Sequence, residues 1–311
     1  MSAGWVAGSV RARAIARRRL GAQEARRLAA CGSLADALAM LAATPYRVGS
    51  DLGAGQDALA AAQHAVAASV LWDLRVLAGW LPQGGTSLMR AVAGWFEIAN
   101  VAERIQELAG RPPGETFRLG ALATAWPQLR STTTLAQLRA ALAASAWKDP
   151  GGDTAVAVEV GLRARWAQRA ADLGDPARTW AAGALAILLA GERFGAGQRP
   201  EHPVLRSVSV TMLGRGIADA RGLEEFAARL PRKLAELLDG IRSPDELWRA
   251  EAAWWARTEQ EGYALLADPG FDRRPVIGAA AVLAADARRV RAALEVAARG
   301  GGAMGAFDAV A

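Results

Sequence analysis

The sequence predicts an all-α protein, and three observations carry that expectation. Apolar residues recur at helical spacing: Ile98, Val101, Ile105 and Leu108 fall at i, i+3, i+7 and i+10. Clusters of Pro and Gly interrupt such stretches at recurring places, among them Thr44-Pro45, Asp149-Pro150-Gly151-Gly152 and Ser243-Pro244, where proline removes a donor and pushes the preceding residue out of the helical region. No stretch alternates convincingly with period two. The nearest, Arg206 to Thr211, is short and reads as a lead into the last third of the chain.

Taken in order, the first helix is expected from about Trp5 to Arg19, followed by Leu20-Gly21. The same Leu-Gly pair returns at Leu119-Gly120 and Leu213-Gly214. After each pair comes a helix start: Ser33 with Asp36, Thr134 with Gln137, and Gly222 with Glu225. A small cap is followed three residues later by an acid or amide that can reach back to it. The Pro/Gly breaks close these helices. Longer helices are then expected over Gln56–Leu81, Thr154–Leu173 and Asp245–Leu266. Further breaks follow at Pro82-Gln83-Gly84-Gly85, Gly174-Asp175-Pro176 and Asp268-Pro269-Gly270. Each unit closes with another helix: Ser87–Ala109, Ala177–Phe194 and Val276–Arg299. The organisation expected is an N-terminal helix (1–19) and three helical units of one plan, 20–118, 119–212 and 213–311.

Composition narrows the chemistry. The 311 residues carry a net charge of +6, nearly all of the positive charge being arginine. Such an excess suits an acidic partner or nucleic acid, but most of these arginines alternate with acids along helices, as a GC-rich genome also writes. The exception is the cluster Arg11, Arg13, Arg17, Arg18 and Arg19. Eleven Trp supply large anchors among the many Ala. Cys31 is the single cysteine, so neither a disulfide framework nor a thiol metal site is expected. His64 and His202 stand in unrelated contexts. No P-loop, HExxH, CxxC, GxSxG or aspartate-rich metal box occurs. Glu97 with Glu103, or Glu259 with Glu261, form carboxylate pairs of the sort that surface helices carry routinely. Trp254 and Trp255 are neighbours about 100° apart on a helix, which suits a corner between helices better than one core face. The N-terminus lacks the apolar run of a signal peptide. The most apolar stretch, Trp180–Ala190, falls short of the roughly 20 residues needed to span a bilayer.

The stretch Gly94–Gly110 holds the least routine pattern. Glu97, Asn100 and Arg104, at i, i+3 and i+7, form a polar line along the edge of the apolar stripe. A buried face with a polar edge has something polar to meet there; a solvated flank is the plain alternative.

Four places in order resemble one family. Gly8-Ser9-Val10-Arg11-Ala12-Arg13-Ala14-Ile15-Ala16-Arg17 resembles its opening helix with paired arginines. Leu41-Ala42-Ala43-Thr44-Pro45-Tyr46 resembles its Leu-x-x-Thr-x-Tyr ending of the first capped helix. Phe96-Glu97-Ile98-Ala99-Asn100-Val101 resembles its acid-x-x-Asn helix, and Pro275 through Gly300 resembles its C-terminal helix. The family is that of the C-type central-stalk subunits of prokaryotic V/A-type ATPases, counterparts of the d-type subunits of eukaryotic V-ATPases. Two departures stand out: Ala181–Phe194 has no acid-x-x-Asn, and Val276–Arg299 has Asp286 without the Asn.

The resemblance implies three related helical units in a pseudo-three-fold funnel. It implies a non-catalytic central-stalk part of a rotary ATPase, without cofactor, peripheral to the cytoplasmic face of the cell membrane. Its partners would be the membrane rotor ring and the central-shaft subunits, with no nucleic acid. The residues to expect at such contacts are Arg11, Arg13, Glu97, Asn100 and Arg104. The alternative is a soluble α-helical repeat scaffold whose arginines bind an acidic partner; an all-α enzyme would need a closed pocket with converging carboxylates.

Overall fold

A computed structural model of the chain describes residues 2–48, 56–195 and 201–311. Among these residues every regular element is a helix. In order they are α1 (Ala3–Ala16), α2 (Ala22–Ala29), α3 (Leu34–Ala42), α4 (Gln56–Trp80), α5 (Gln83–Val92), α6 (Gly94–Leu108), α7 (Trp126–Leu129) and α8 (Leu135–Ala143). They continue as α9 (Ala155–Ala171), α10 (Ala177–Phe194), α11 (Pro203–Leu213), α12 (Leu223–Arg229), α13 (Arg232–Ala235), α14 (Leu247–Ala267), α15 (Arg273–Ala298) and α16 (Met304–Val310). No helix among the described residues is long and apolar enough to cross a membrane.

The chain forms two compact units, one of residues 1–86 with 255–311 and one of residues 87–254. In the first, α15 packs against α1, α2, α3, α4 and α16. Most of its residues from Pro275 to Ala297 are buried, the charged Asp286 and Arg289 among them. Small residues let its neighbours come close: a methyl group on Gly278 would stand 2.6 Å from the carbonyl oxygen of Gly262 on α14. In the second unit, α9 packs against α6, α10 and α11. One side of it shares a core with Ile98, Val101, Leu138, Leu142 and Trp147. The other shares one with Leu185, Leu189, Leu205, Phe226 and Leu237.

Several sequence expectations are met residue by residue. Ser33 and Thr134 cap α3 and α8, accepting from the N–H groups of Asp36 and Gln137. All three Leu-Gly glycines adopt positive φ, 86° at Gly21, 57° at Gly120 and 110° at Gly214, a conformation that only a residue without Cβ takes up without strain. The ends of α3 and α8 are built alike. The Thr44 hydroxyl donates to Leu41 O and accepts from Tyr46 N, and the Ser145 hydroxyl donates to Leu142 O and accepts from Trp147 N. The next residue in each case, Arg47 or Lys148, is left-handed.

Other expectations are corrected. The break at Pro82 does end α4, at Trp80, but it is shorter than expected: α5 begins at Gln83 rather than Ser87, directly after a proline whose missing N–H is not needed there. The expected closing helix Ser87–Ala109 is divided at Ala93. There Gly94 lets the rings of Trp166 and Trp147 approach to within 3.2 Å of where a Cβ would stand. The run from Gly222 to Leu238 breaks at Pro231. Arg206–Thr211 lies inside α11, which begins with His202 as cap and Pro203 in its first turn. Helix α2 is an addition to the expected elements; its start lacks a side-chain cap of its own. Trp254 and Trp255 fall in different units: the Trp254 Nε1 donates to Trp180 O, while Trp255 lies under the Arg288 guanidinium.

Candidate interaction site

The polar line on α6 meets a segment of its own chain. Glu97 is 1% exposed and Asn100 fully buried. The Glu97 carboxylate accepts three backbone N–H groups, from Thr124 (2.8 Å), Ala125 (2.6 Å) and Trp126 (2.7 Å). These lie at the start of α7, where Ala125 has no side chain with which to cap. A helix start leaves N–H groups without intrahelical partners and favours negative charge; Glu97 supplies both an acceptor and that charge. Asn100 holds one residue by both backbone groups, accepting from Phe117 N (2.7 Å) and donating to Phe117 O (2.9 Å). The Phe96 and Phe117 rings meet edge to face at 5.1 Å. Arg104 donates to Thr132 O and pairs with Glu107. The i, i+3, i+7 spacing thus clamps residues 117–132, most of which make no regular helix.

A second clamp of this kind stands in the other unit. Asp286 on α15, fully buried, accepts from Leu20 N and Gly21 N, both at 2.8 Å, where Gly21 caps α2. It also accepts from the Tyr46 hydroxyl at 2.8 Å. Burial first, and the Asp286 charge second, push the Tyr46 phenol far above its ordinary range. Behind Asp286, Arg289 pairs with Glu259 and lies 3.7 Å from Asp286.

Two arginines do the complementary job for carbonyl groups. Arg13 on α1 donates to Leu266 O, Asp268 O and Gly270 O, collecting carbonyls of the last turn of α14 and of the segment just after it. Arg193 on α10 donates to Ile217 O, Ala218 O and Ala220 O at 3.0, 2.9 and 2.7 Å.

Of the five residues singled out in the sequence, Glu97, Asn100 and Arg104 act together on one segment. Arg13 is bound to the 266–270 segment of its own unit, and Arg11 is exposed. Asp286 stood out in the sequence only for the Asn missing after it, and Arg193 not at all. Tyr46, a residue of the Leu-x-x-Thr-x-Tyr motif, is the Asp286 partner; the pairing links residues 240 apart, and no local spacing announces that.

The second unit also holds a cavity of about 700 Å³ lined by Glu192, Arg193, Glu201, His202, Arg206 and Arg221 among others. Glu201 pairs with Arg206. The His202 Nδ1 accepts from Leu205 N, and burial lowers the pKa of the ring. Among the described residues, no three His, Cys, Asp or Glu side chains stand together as a metal site would require. Neither a protein-family model nor a curated protein sequence matches this chain.

Proposed function

We propose that the chain is a non-catalytic coupling subunit of a rotary V/A-type ATPase, a helical socket between the central shaft and the membrane rotor ring. The observation that carries the reading is the repeated clamp. Three of the four family-like stretches hold the residues that build it: Glu97 and Asn100 on α6, Tyr46 after α3, and Asp286 on α15. In each case a carboxylate on a closing helix holds the start of another expected unit: Glu97 holds the second, Asp286 the first. A chain in which the last closing helix serves the first unit is what three units arranged around a pseudo-three-fold funnel require. Torque transfer asks for stiff, fully bonded helices and interface area rather than reactive side chains, and the clamps supply stiffness.

In this reading the clamped residues shape the contact surface from within, and Arg11, exposed on α1, is the candidate that reaches a partner directly. The protein would work peripherally on the cytoplasmic face of the cell membrane, assisting ion transport and needing no cofactor. The second reading is a helical scaffold for an acidic partner. It is favoured by Arg11, Arg17 and Arg18, which form no ion pair or side-chain hydrogen bond among the described residues.

Affinity capture of the tagged chain from native membranes tests the first reading. Rotor-ring and shaft subunits are the expected companions, and their absence from a capture that retrieves other partners overturns it.

A further inference from the structure

One face of the first unit is left uncovered by its packing. α1 and α4 run antiparallel: Gly4 meets Pro82, Gly8 meets Leu81 and the Trp80 carbonyl, and the charges of Arg11 and Arg18 act on the half-buried Asp73. Gly8, Ser9, Ala12, Ile15 and Ala16 turn α1 inward. Val6, Val10 and Arg11 are exposed on the rest of it, with Val10 at 55%, and Arg17 and Arg18 are exposed just past its end. On α4, Trp72 is 59% and Trp80 52% exposed. The Arg75 guanidinium lies 5.3 Å from the centre of the Trp72 ring.

Several exposed arginines elsewhere find carboxylates, as Arg163 does in Glu159 and Arg229 in Glu225. Among the described residues Arg11, Arg17 and Arg18 form no ion pair, and the charges of Arg11 and Arg18 act on Asp73, so the face is cationic. Its two indoles stand eight residues apart, about 12 Å along α4. A protein-binding hot spot gathers its aromatic anchors at a packed centre. Separated indoles interspersed with guanidinium groups match the headgroup layer of a bilayer, where amphipathic rings sit at the interface and cations meet phosphates.

We infer that the α1–α4 face binds the surface of an anionic phospholipid bilayer, with Trp72, Trp80 and Val10 entering the headgroup layer and Arg11, Arg17 and Arg18 meeting lipid phosphates. The inference stands apart from the rotary-ATPase reading: purified chain and vesicles contain no ATPase subunit, so either can fail alone.

Cosedimentation of the full chain with vesicles tests it, using phosphatidylcholine alone against phosphatidylcholine mixed with phosphatidylglycerol. Uptake is expected only with the anionic vesicles, and it should fall as salt shortens the Debye length. The double variants Trp72→Ala/Trp80→Ala and Arg11→Glu/Arg17→Glu should each weaken uptake by about tenfold. Trp248→Ala, at an exposed tryptophan of the other unit, should leave it unchanged. All these side chains are exposed, so wild-type helicity by circular dichroism is expected throughout. Equal uptake by both vesicle types, or by wild type and both double variants, overturns the inference. So does a chain that ignores vesicles but binds polyglutamate with the same salt sensitivity, which would make the face a reader of acidic protein.

Discussion

Asp286 on α15 and Glu97 on α6 are both buried carboxylates that take backbone N–H groups at the start of a short helix, yet different side chains complete the two sites. Beside Asp286 stands the Tyr46 hydroxyl; at the matching point of the repeated turn stands Trp147, whose buried Nε1 has no hydrogen-bond partner among the described residues. In place of a hydroxyl, the second unit uses a cation. Arg169 lies 4.4 Å from the centre of the Trp147 ring and donates to the Thr124 hydroxyl, one of the residues that Glu97 holds. Burial lowers the Arg169 pKa, with the Glu97 charge working against that shift. The backbone task is therefore the constant, and the side chains around the carboxylate vary so long as its charge has company.

Removing the carboxylates is the strongest way to break this equivalence. Asp286→Ala strands two N–H groups and the Tyr46 hydroxyl and removes a charge beside Arg289, and should cost about 3–5 kcal/mol. Glu97→Ala strands three N–H groups and should cost about 2–4 kcal/mol. Urea unfolding measures both, and hydrogen exchange locates them: amides of Leu20 and Gly21 should lose protection in the first variant, those of Thr124 to Trp126 in the second. A Glu97→Ala protein as stable as wild type would mean that the α6 clamp is ornamental and the α15 clamp is not.

Tyr46→Phe sharpens the comparison at smaller cost. It takes one donor from Asp286 while keeping the ring, so a loss of about 1 kcal/mol is expected in the same urea experiment. A larger loss would show that Asp286 depends on the hydroxyl more than Glu97 depends on anything at Trp147.

The smallest effect concerns a helix cap that titrates. His202 caps α11 through its neutral ring, and burial holds its folded pKa below the ordinary value. As pH falls below about 6.5 the unfolded chain takes the proton first. The contribution of the cap is therefore complete above that pH and declines as pH drops towards the lowered folded value. His202→Asn keeps an acceptor at the cap but cannot titrate. The thermal midpoint of the wild type should fall more steeply between neutral and mildly acid pH than that of the variant, and parallel curves would remove His202 from the account.

The sequence made some of this legible and hid the rest for physical reasons. Helices α3, α8 and α10 are readable because caps, proline and helical apolar spacing are local signals. Gly21, Gly120 and Gly214 are visible as a recurring pair with leucine, and positive φ explains why glycine recurs. The line Glu97–Asn100–Arg104 is visible as a pattern that needs a polar partner, but the partner is an irregular segment with no signature of its own. Asp286 is harder still. A single acid in an Ala-rich helix looks like a solubilising residue until a distant backbone turn is placed against it. Helix α2 escapes the sequence because its cap comes from that same acid rather than from a neighbouring residue.

The two clamps also differ in the span of chain they close, and that span sets when each can form. Glu97 reaches residues 27 to 29 positions away, whereas Asp286 reaches back 266 to Leu20. On a ribosome, the middle of the chain can fasten its own joint soon after that stretch emerges. The opening helices must wait for Asp286 on α15, 266 residues beyond Leu20, before the amides of Leu20 and Gly21 find their acceptor. Contacts of such long separation are slow to form, and domains fold as units in the order of synthesis. The helices before α5, with their exposed indoles and arginines, therefore stand without α15 while the intervening residues are made, and are in need of protection over that interval.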